Sequence, residues 1–305
     1  MRIFLATILA SVEITLAGCS VGGRWDHHAG GGSFIGASPS LSPKADVIVF
    51  ASPDTGHGDI YAYDVARSAL TRLTNDPDYE GDPEFSPDGK QIVFIREEDD
   101  IAHLWIMNSD GTKQAQLTTD AGYDSSPSFS PDGTKIVFTR NVTDYKFRPR
   151  SAASAETFMV GVDGTGEKRL TNNEIADFEP SFSPDGLQVL YDVWADDIWM
   201  MDVNGSNARR IVSGASASYS PDGTKIVYVS GKYGRQLSVM DADGKNSTPI
   251  VDSDHYMSHP TFYPDGKHVL YLDEPTASGS GTITKVNLGD HTKETIVGTS
   301  TLVGF

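Results

Sequence analysis

Three serines, two acidic residues and one histidine occupy one position of a short repeated motif, x-P-x-[FY]. The position is the first of the motif, and its residues are Ser38, Asp82, Ser126, Glu179, Ser216 and His259. Oxygen-rich ligands favour Ca²⁺ or Mg²⁺ over zinc, and the same charges suit a cationic segment of a protein. If the fold brings these residues to one opening, we expect the ring to bind such a cation or segment. A solvated polar rim is the alternative.

More groups of the same kind lie a few positions earlier in the same segments. They are Glu80, Asp124, Asp177 and His255. We expect them to share the opening with the ring and to add to its negative charge. Apart from Ca²⁺ or Mg²⁺ at this opening, no cofactor is expected, and the residues do not identify a metal.

A second candidate site is basic and lies within an insertion between residues 141 and 156. It carries Lys146, Arg148 and Arg150 beside two aromatic residues, on a chain that is otherwise acidic. Long loops on rigid scaffolds often carry function, so we predict a partner-binding loop here. A solvated loop without a partner is the alternative.

Catalytic signatures are missing from the sequence. It has no G-x-S-x-G elbow, P-loop or H-E-x-x-H motif, and we predict no catalytic residue and no enzyme. Histidines 57, 103, 255 and 259 leave one alternative open. If they converged with carboxylates on a shared metal, the chain would be a metal-dependent hydrolase or lyase acting on a cell-surface polymer.

The N-terminus has the features of an export signal with a lipid attachment site. Residues 1–18 begin with Arg2 and continue as an apolar stretch that is short for a membrane span. The stretch ends in Leu-Ala-Gly before Cys19, which resembles the bacterial lipobox. We therefore predict a lipoprotein signal peptide over 1–18, lipidation of Cys19 and a glycine-rich flexible tether over 19–36. An ordinary signal peptide is the alternative.

Composition limits the partners and the location. Lysine and arginine number 24 against 42 aspartate and glutamate residues, a formal charge of −18, which disfavours nucleic acid. Cys19 is the sole cysteine, so no disulfide can form within the chain. We expect an exported protein at the periplasmic or cell-surface face. The lipid would be its only membrane contact, and its partner would be an envelope protein.

The elements that must position these residues are copies of one unit. The strings FSPDGKQIVF, FSPDGTKIVF, FSPDGLQVLY, YSPDGTKIVY and YPDGKHVLY begin at residues 85, 129, 182, 219 and 263, and a decayed copy, LSPKADVIVF, begins at residue 41. A second β-rich run, a polar-Gly turn and a short apolar segment follow each string. The turn glycine, or its equivalent, precedes the final apolar residue by six positions in every copy. Such constancy indicates a fixed geometry.

Each copy predicts four short strands. Pro-Asp-Gly and Asp-Gly turns close hairpins, and runs such as KIVF alternate between the two faces of a sheet. Four strands cannot bury both faces alone, so the copies must stack. The sequence therefore predicts an all-β, six-bladed β-propeller of four-stranded blades over residues 37–305. It is expected to be monomeric and to close by face packing, with the tail 299–305 as a locking strand.

The repeated motif, with I-[YW]-x-M-[ND]-x-[DN]-G and L-T after it, resembles the TolB-type propeller repeat. The resemblance implies an envelope-facing propeller that binds protein and performs no catalysis. TolB itself has an α/β domain before its propeller, whereas only residues 20–36 separate Cys19 from the first repeat here. We therefore do not expect the Tol–Pal role to carry over to this chain.

Overall fold

The regular structure of the chain is β throughout. The computed structural model describes residues 38–52, 58–99, 101–141, 155–173, 175–194, 196–232, 234–274 and 282–297. Within these ranges no helix has the length and apolar character that crossing a membrane requires. The predicted signal peptide, Cys19, the tether, the basic residues Lys146, Arg148 and Arg150, and the predicted locking strand all lie outside the described residues.

The described residues form 24 strands, which make six blades in chain order. Blade 1 comprises β1 Ser40–Leu41, β2 Val47–Ser52, β3 Asp59–Asp64 and β4 Ala69–Arg72. Blade 2 comprises β5 Tyr79–Phe85, β6 Gln91–Glu98, β7 Ile101–Asn108 and β8 Ala115–Gln116. Blade 3 comprises β9 Tyr123–Phe129, β10 Lys135–Asn141, β11 Ala155–Gly161 and β12 Lys168–Arg169.

The second half of the chain repeats this order. Blade 4 comprises β13 Asp177–Phe182, β14 Gln188–Val193, β15 Asp197–Asp202 and β16 Arg209–Ser213. Blade 5 comprises β17 Ala215–Tyr219, β18 Lys225–Ser230, β19 Gln236–Asp241 and β20 Thr248–Asp252. Blade 6 comprises β21 Tyr256–Phe262, β22 His268–Glu274, β23 Thr282–Asn287 and β24 Lys293–Val297.

Every blade is a four-stranded antiparallel sheet in which the strands follow their sequence order. The first strand of each blade is the innermost one, since residues of all six first strands line a single central cavity. The predicted fold class is therefore confirmed, including the number of blades. The decayed copy at residue 41 is blade 1, with β1 and β2 on either side of its turn.

The core consists of six hydrophobic clusters, one at each interface between blades. Val49 and Ile60 of blade 1, for example, pack with Phe94 of blade 2, and the next four interfaces follow the same scheme. The sixth cluster joins Phe50 of blade 1 to Leu270 of blade 6, and these interface side chains are buried. Packing of blade 6 on blade 1 closes the ring, and none of the described strands is exchanged between the two blades.

The constant spacing in the sequence has a structural cause. Gly111, in the hairpin turn of blade 2, has φ +85°, and a Cβ on it would come within 2.5 Å of the Leu73 carbonyl oxygen of blade 1. Gly205, in the hairpin turn of blade 4, meets the Leu170 carbonyl oxygen of blade 3 at the same distance. Each turn glycine therefore packs against the final apolar segment of the preceding blade, which fixes both positions in the repeat.

The decayed turn of blade 1 keeps its shape with an unfavourable residue. Ala45 has φ +54°, where the equivalent residues Gly89 and Gly133 have φ +70° and +68°. Its amide still donates to the Ser42 carbonyl oxygen at 2.7 Å, as in the intact turns. A left-handed conformation costs an L-residue with a Cβ about 1–2 kcal/mol, so this turn stores strain.

Ala45→Gly is expected to stabilise the protein by about 1 kcal/mol, because relief of that strain exceeds the entropy gained by the unfolded chain. The matched control is Gly133→Ala, where a Cβ would meet nothing closer than the Pro87 Cδ at 3.8 Å. This control should destabilise by a similar amount. Urea unfolding measures both changes, and equal signs for the two variants would contradict the explanation.

Candidate functional site

The six motif-leading residues meet at the centre of the propeller. Together with the prolines and polar residues that follow them, they line a cavity of about 520 Å³, called the channel below. The residues are Ser38, Asp82, Ser126, Glu179, Ser216 and His259. Of the ten residues expected to share one opening, the structure brings these six together.

A local irregularity in five of the six innermost strands orients these side chains. Five of the six have left-handed φ angles, 46° at Asp82, 50° at Ser126, 48° at Glu179, 52° at Ser216 and 48° at His259. The strand register shifts at the same five places, as it does between Gly81 and Glu84. Non-glycine residues in this region store strain, and such strain tends to cluster at ligand sites. All five residues with this strained backbone conformation lie at the channel wall.

Asp82 links three blades across the channel. One carboxylate oxygen, Oδ1, accepts a hydrogen bond from the Ser38 hydroxyl at 3.1 Å, and Oδ2 accepts one from the Ser126 amide at 2.9 Å. Burial raises the pKa of Asp82, while the Ser126 amide and the nearby His259 oppose that rise. Both oxygens of this carboxylate are therefore engaged within the protein.

Asp192 is a site residue that the sequence did not reveal. It lies on β14 directly behind the ring, 8% exposed, and its Oδ2 accepts a hydrogen bond from the Ser216 amide at 2.6 Å. Burial, followed by the charge of Glu179, raises its pKa well above the usual range. The equivalent positions hold Ala51, Ile95, Thr139, Val229 and Leu272. The sequence feature that could have identified Asp192 is that it is an acid at a position where the other five copies hold uncharged residues.

Glu179 and His259 complete this side of the channel. The His259 Nε2 lies 3.9 Å from the Glu179 Oε1, too long for a hydrogen bond but close enough for a charge interaction. Among the described residues that line the channel, none is a lysine or an arginine. The channel wall is consequently an acidic surface with one imidazole.

Glu84 lies deeper on the same strand as Asp82. It is only partly exposed within the channel, and its Oε1 accepts a hydrogen bond from the Phe129 amide at 2.8 Å. Burial raises the pKa of Glu84 to about 7, and the Phe129 amide and the Ser128 hydroxyl oppose that rise. The carboxyl therefore changes its charge near neutral pH inside the folded protein.

Glu84→Gln is expected to stabilise the protein at about pH 8 and to change little at about pH 4. The carboxyl ionises near 4.5 in the unfolded chain and near 7 in the folded one. The wild type loses stability as pH rises between these values, by about 1–3 kcal/mol, and the neutral glutamine does not. Urea unfolding across this range measures the difference. Exposed Glu98→Gln is the control, and a gain independent of pH would contradict the assignment.

The predicted placement of Glu80, Asp124 and Asp177 at the opening is wrong. All three carboxylates are fully buried between sheets and do not line the channel. Glu80 accepts two hydrogen bonds from the Arg96 guanidinium, and Asp124 accepts two from Arg140. Asp177 instead accepts a hydrogen bond from Asn173, and burial raises its pKa to about 6.

A threonine repeated in the Leu-Thr segments explains why these acids recur. Thr74, Thr118 and Thr171 each accept a hydrogen bond at 2.9 Å from a backbone amide of the third strand. The Thr118 hydroxyl also donates to Asp124, the acid that begins the next blade, at 2.6 Å. The hydroxyls of Thr74 and Thr171 oppose the rise that burial causes in the pKa of Glu80 and of Asp177. These acids hold neighbouring blades together.

His255 is also placed away from the channel. Its Nδ1 lies 2.8 Å from the Asp273 Oδ1, and His103 lies on β7 of another blade. Within the described ranges, no three histidine, cysteine or acidic side chains are arranged to hold a metal ion. Of the described histidines named above, His259 alone reaches the channel.

Comparison with known proteins agrees with this architecture. The chain matches the PD40 family, the TolB beta propeller domain, over residues 23–148 and 146–302. It is 30% identical over 136 residues to an uncharacterized protein of Agrobacterium fabrum, which covers 38% of this chain and 46% of that protein. It is 34% identical over 79 residues to the Tol-Pal system protein TolB of Wolbachia sp. subsp. Drosophila simulans, covering 24% and 18%. The chain thus matches less than half the length of these relatives.

Solved structures resemble the chain in fold alone. TolB from Acinetobacter baumannii has a TM-score of 0.68 at 19% identity, over 82% of this chain and 63% of that one. An oligogalacturonate lyase in complex with manganese has a TM-score of 0.63 at 17% identity, over 85% and 75%. The family match spans most of the chain, and six four-stranded blades surround one channel. The chain therefore belongs to the TolB beta propeller domain family.

Proposed function

We propose that this chain is an exported, lipid-anchored envelope protein that binds a protein partner at the channel and performs no catalysis. The convergence of Asp82, Glu179 and His259 at the channel, with Asp192 behind them, carries this proposal. An acidic, concave surface on a rigid scaffold suits a cationic segment of a partner. Similarity to the Tol-Pal system protein TolB adds support for a protein partner in the envelope.

The non-enzymatic part of the proposal rests on the placement of the reactive groups. A hydrolase or lyase needs several histidines or carboxylates directed at one shared atom. His103 and His255 lie in other parts of the described structure, and Asp82 has both oxygens bonded to neighbouring blades. The manganese-bound lyase shares the fold, but no observation at this channel favours its chemistry here.

A crosslinking pull-down from membranes tests partner binding. The test variant is Asp82→Ser/Glu179→Ser, because serine is the natural residue at this position in blades 1, 3 and 5. We expect this variant to lose its crosslinked partner while it remains folded. Glu98→Ser/Asp252→Ser removes the same charge from exposed positions and should keep the partner. Equal capture by both variants would contradict binding at the channel.

The anchor and the basic loop are separate parts of the proposal. Cys19→Ser should abolish incorporation of labelled palmitate and move the protein from the membrane fraction to the soluble one. Deletion of residues 143–153, which removes Lys146, Arg148 and Arg150, should reduce capture of the same partner. Unchanged fractionation would contradict the anchor, and unchanged capture would contradict a contact through the loop.

A further inference from the structure

Ser216 and His259, which line one side of the channel, and Asp192 behind them carry buried polar atoms without partners. Within the described chain, the Ser216 Oγ, the Asp192 Oδ1 and the His259 Nδ1 have no hydrogen-bond partner. Ser216 is 5% exposed and Asp192 is 8% exposed, so bulk water reaches neither side chain freely. An unsatisfied buried polar atom costs about 1–3 kcal/mol, and buried groups of this kind are normally paired.

The opposite side of the channel shows that the fold is able to satisfy such groups. Both oxygens of Asp82 are bonded, one to the Ser38 hydroxyl and the other to the Ser126 amide. The contrast places the unmet hydrogen-bonding capacity at the blades that carry Glu179, Ser216 and His259. A ligand would supply the missing partners there.

The charge of this side favours a cationic ligand. Asp192 and Glu179 are close enough for the charge of one to act on the other. His259 is the single basic side chain among the described residues that line the channel, and its Nε2 already faces Glu179. Two carboxyls in a confined site repel each other unless one holds a proton or a cation lies near both.

The free atoms fit a primary ammonium better than the other common cations. An ammonium has three hydrogens to donate, which Asp192, the Ser216 hydroxyl and Glu179 would accept. A guanidinium prefers two parallel bonds to one carboxylate, and Asp192 cannot accept such a pair because one of its oxygens is already taken by the Ser216 amide. Calcium takes about six to eight oxygen ligands, and no metal cluster of three acidic or histidine groups exists among the described residues.

We infer that the side of the channel formed by Glu179, Asp192, Ser216 and His259 is a binding subsite for the ammonium group of a lysine from a partner protein. Pro180, Ala217 and Pro260 line the channel beside these residues and offer apolar surface to the methylene stem of that lysine. This subsite deepens the proposed function and rests on it, because it identifies which chemical group of the partner enters the channel.

The test is an NMR titration of the folded protein with a capped pentapeptide that has one central lysine. The His259 ring resonances report on occupancy. We expect saturable binding, and binding at least tenfold weaker for the same peptide with acetyl-lysine, which has no charge. Equal binding of the two peptides, or displacement of the lysine peptide by equimolar calcium chloride, would overturn the inference.

Two variants locate the subsite. Asp192→Asn keeps an oxygen for the Ser216 amide but loses the charge, and it should weaken the lysine peptide at least tenfold. Ser216→Ala should weaken it severalfold. Asp273→Asn, beside His255 and outside the channel, is the control and should bind as the wild type does. Wild-type affinity in both channel variants would overturn the inference.

Failure of this subsite and failure of the proposed function are distinguishable. If Asp82→Ser/Glu179→Ser loses the crosslinked partner but the lysine peptide does not bind, the channel binds its partner through another group. If that variant keeps the partner, the channel is not the partner-binding surface at all. The acetyl-lysine comparison uses the unaltered protein, so it does not depend on how well any variant folds.

Discussion

Replacement of Arg140 with methionine is expected to destabilise the protein by about 3–5 kcal/mol, one of the two largest effects of any single change described here. The guanidinium is 3% exposed and holds the fully buried Asp124 through bonds of 2.6 Å and 3.0 Å. It also binds Glu167 and stacks on Phe138 and Phe158. Methionine keeps the apolar contacts but leaves the Asp124 charge buried without its cation.

The double variant Arg140→Met/Asp124→Asn separates charge from packing. Loss of the carboxylate charge removes the main penalty, so the double variant should recover much of the lost stability. Arg67→Met is the exposed control, because its ion pair with Asp64 lies at the surface and should cost about 0–1 kcal/mol. Urea unfolding measures all three variants. A loss in Arg140→Met as small as that of Arg67→Met would contradict a structural role for the buried pair.

The Arg140 pair also shows where prediction from the sequence failed. Glu80 and Asp82 were expected to share one opening because they lie in the same segment before the motif proline. On a regular strand, residues two apart would indeed share a face. Asp82 instead has φ +46°, and the register shifts around it. The alternation breaks there, so Asp82 faces the channel while Glu80 faces Arg96 inside the sheet. Proline disfavours helical conformations in the residue before it, so the residues around Asp82 did not indicate this bulge.

The architecture was predictable because the repeat spacing records contacts between blades. The contact of Gly111 with the Leu73 carbonyl oxygen recurs between successive blades, so its two partners stay at fixed positions. The residues of the ring were predictable for the same reason, since every copy presents one to the channel. Asp192 was not, because it occupies a position that packs apolar side chains in most copies. Its role depends on the Ser216 amide of the next blade, which only the fold brings near.

Phe50→Ala is expected to destabilise the protein by about 3–5 kcal/mol, because it empties the centre of the interface that closes the ring. Phe50 is fully buried, stacks on Tyr61 at 6.2 Å and packs with Leu270 of blade 6. Phe138→Ala is the matched variant, because Phe138 is equally buried in the cluster between blades 2 and 3. Both variants should lose similar stability in urea.

The two variants should differ in where the structure opens. Blades 2 and 3 are consecutive in the chain, whereas the described residues of blades 1 and 6 belong to distant segments and meet through packed side chains. Local opening follows the weakest cooperative unit, so amide hydrogen exchange in Phe50→Ala should rise in both blade 1 and blade 6. In Phe138→Ala it should rise in blades 2 and 3 instead. Faster exchange in blade 1 alone would mean that blade 6 stays closed without its contact to Phe50. That result would contradict closure of the ring by face packing.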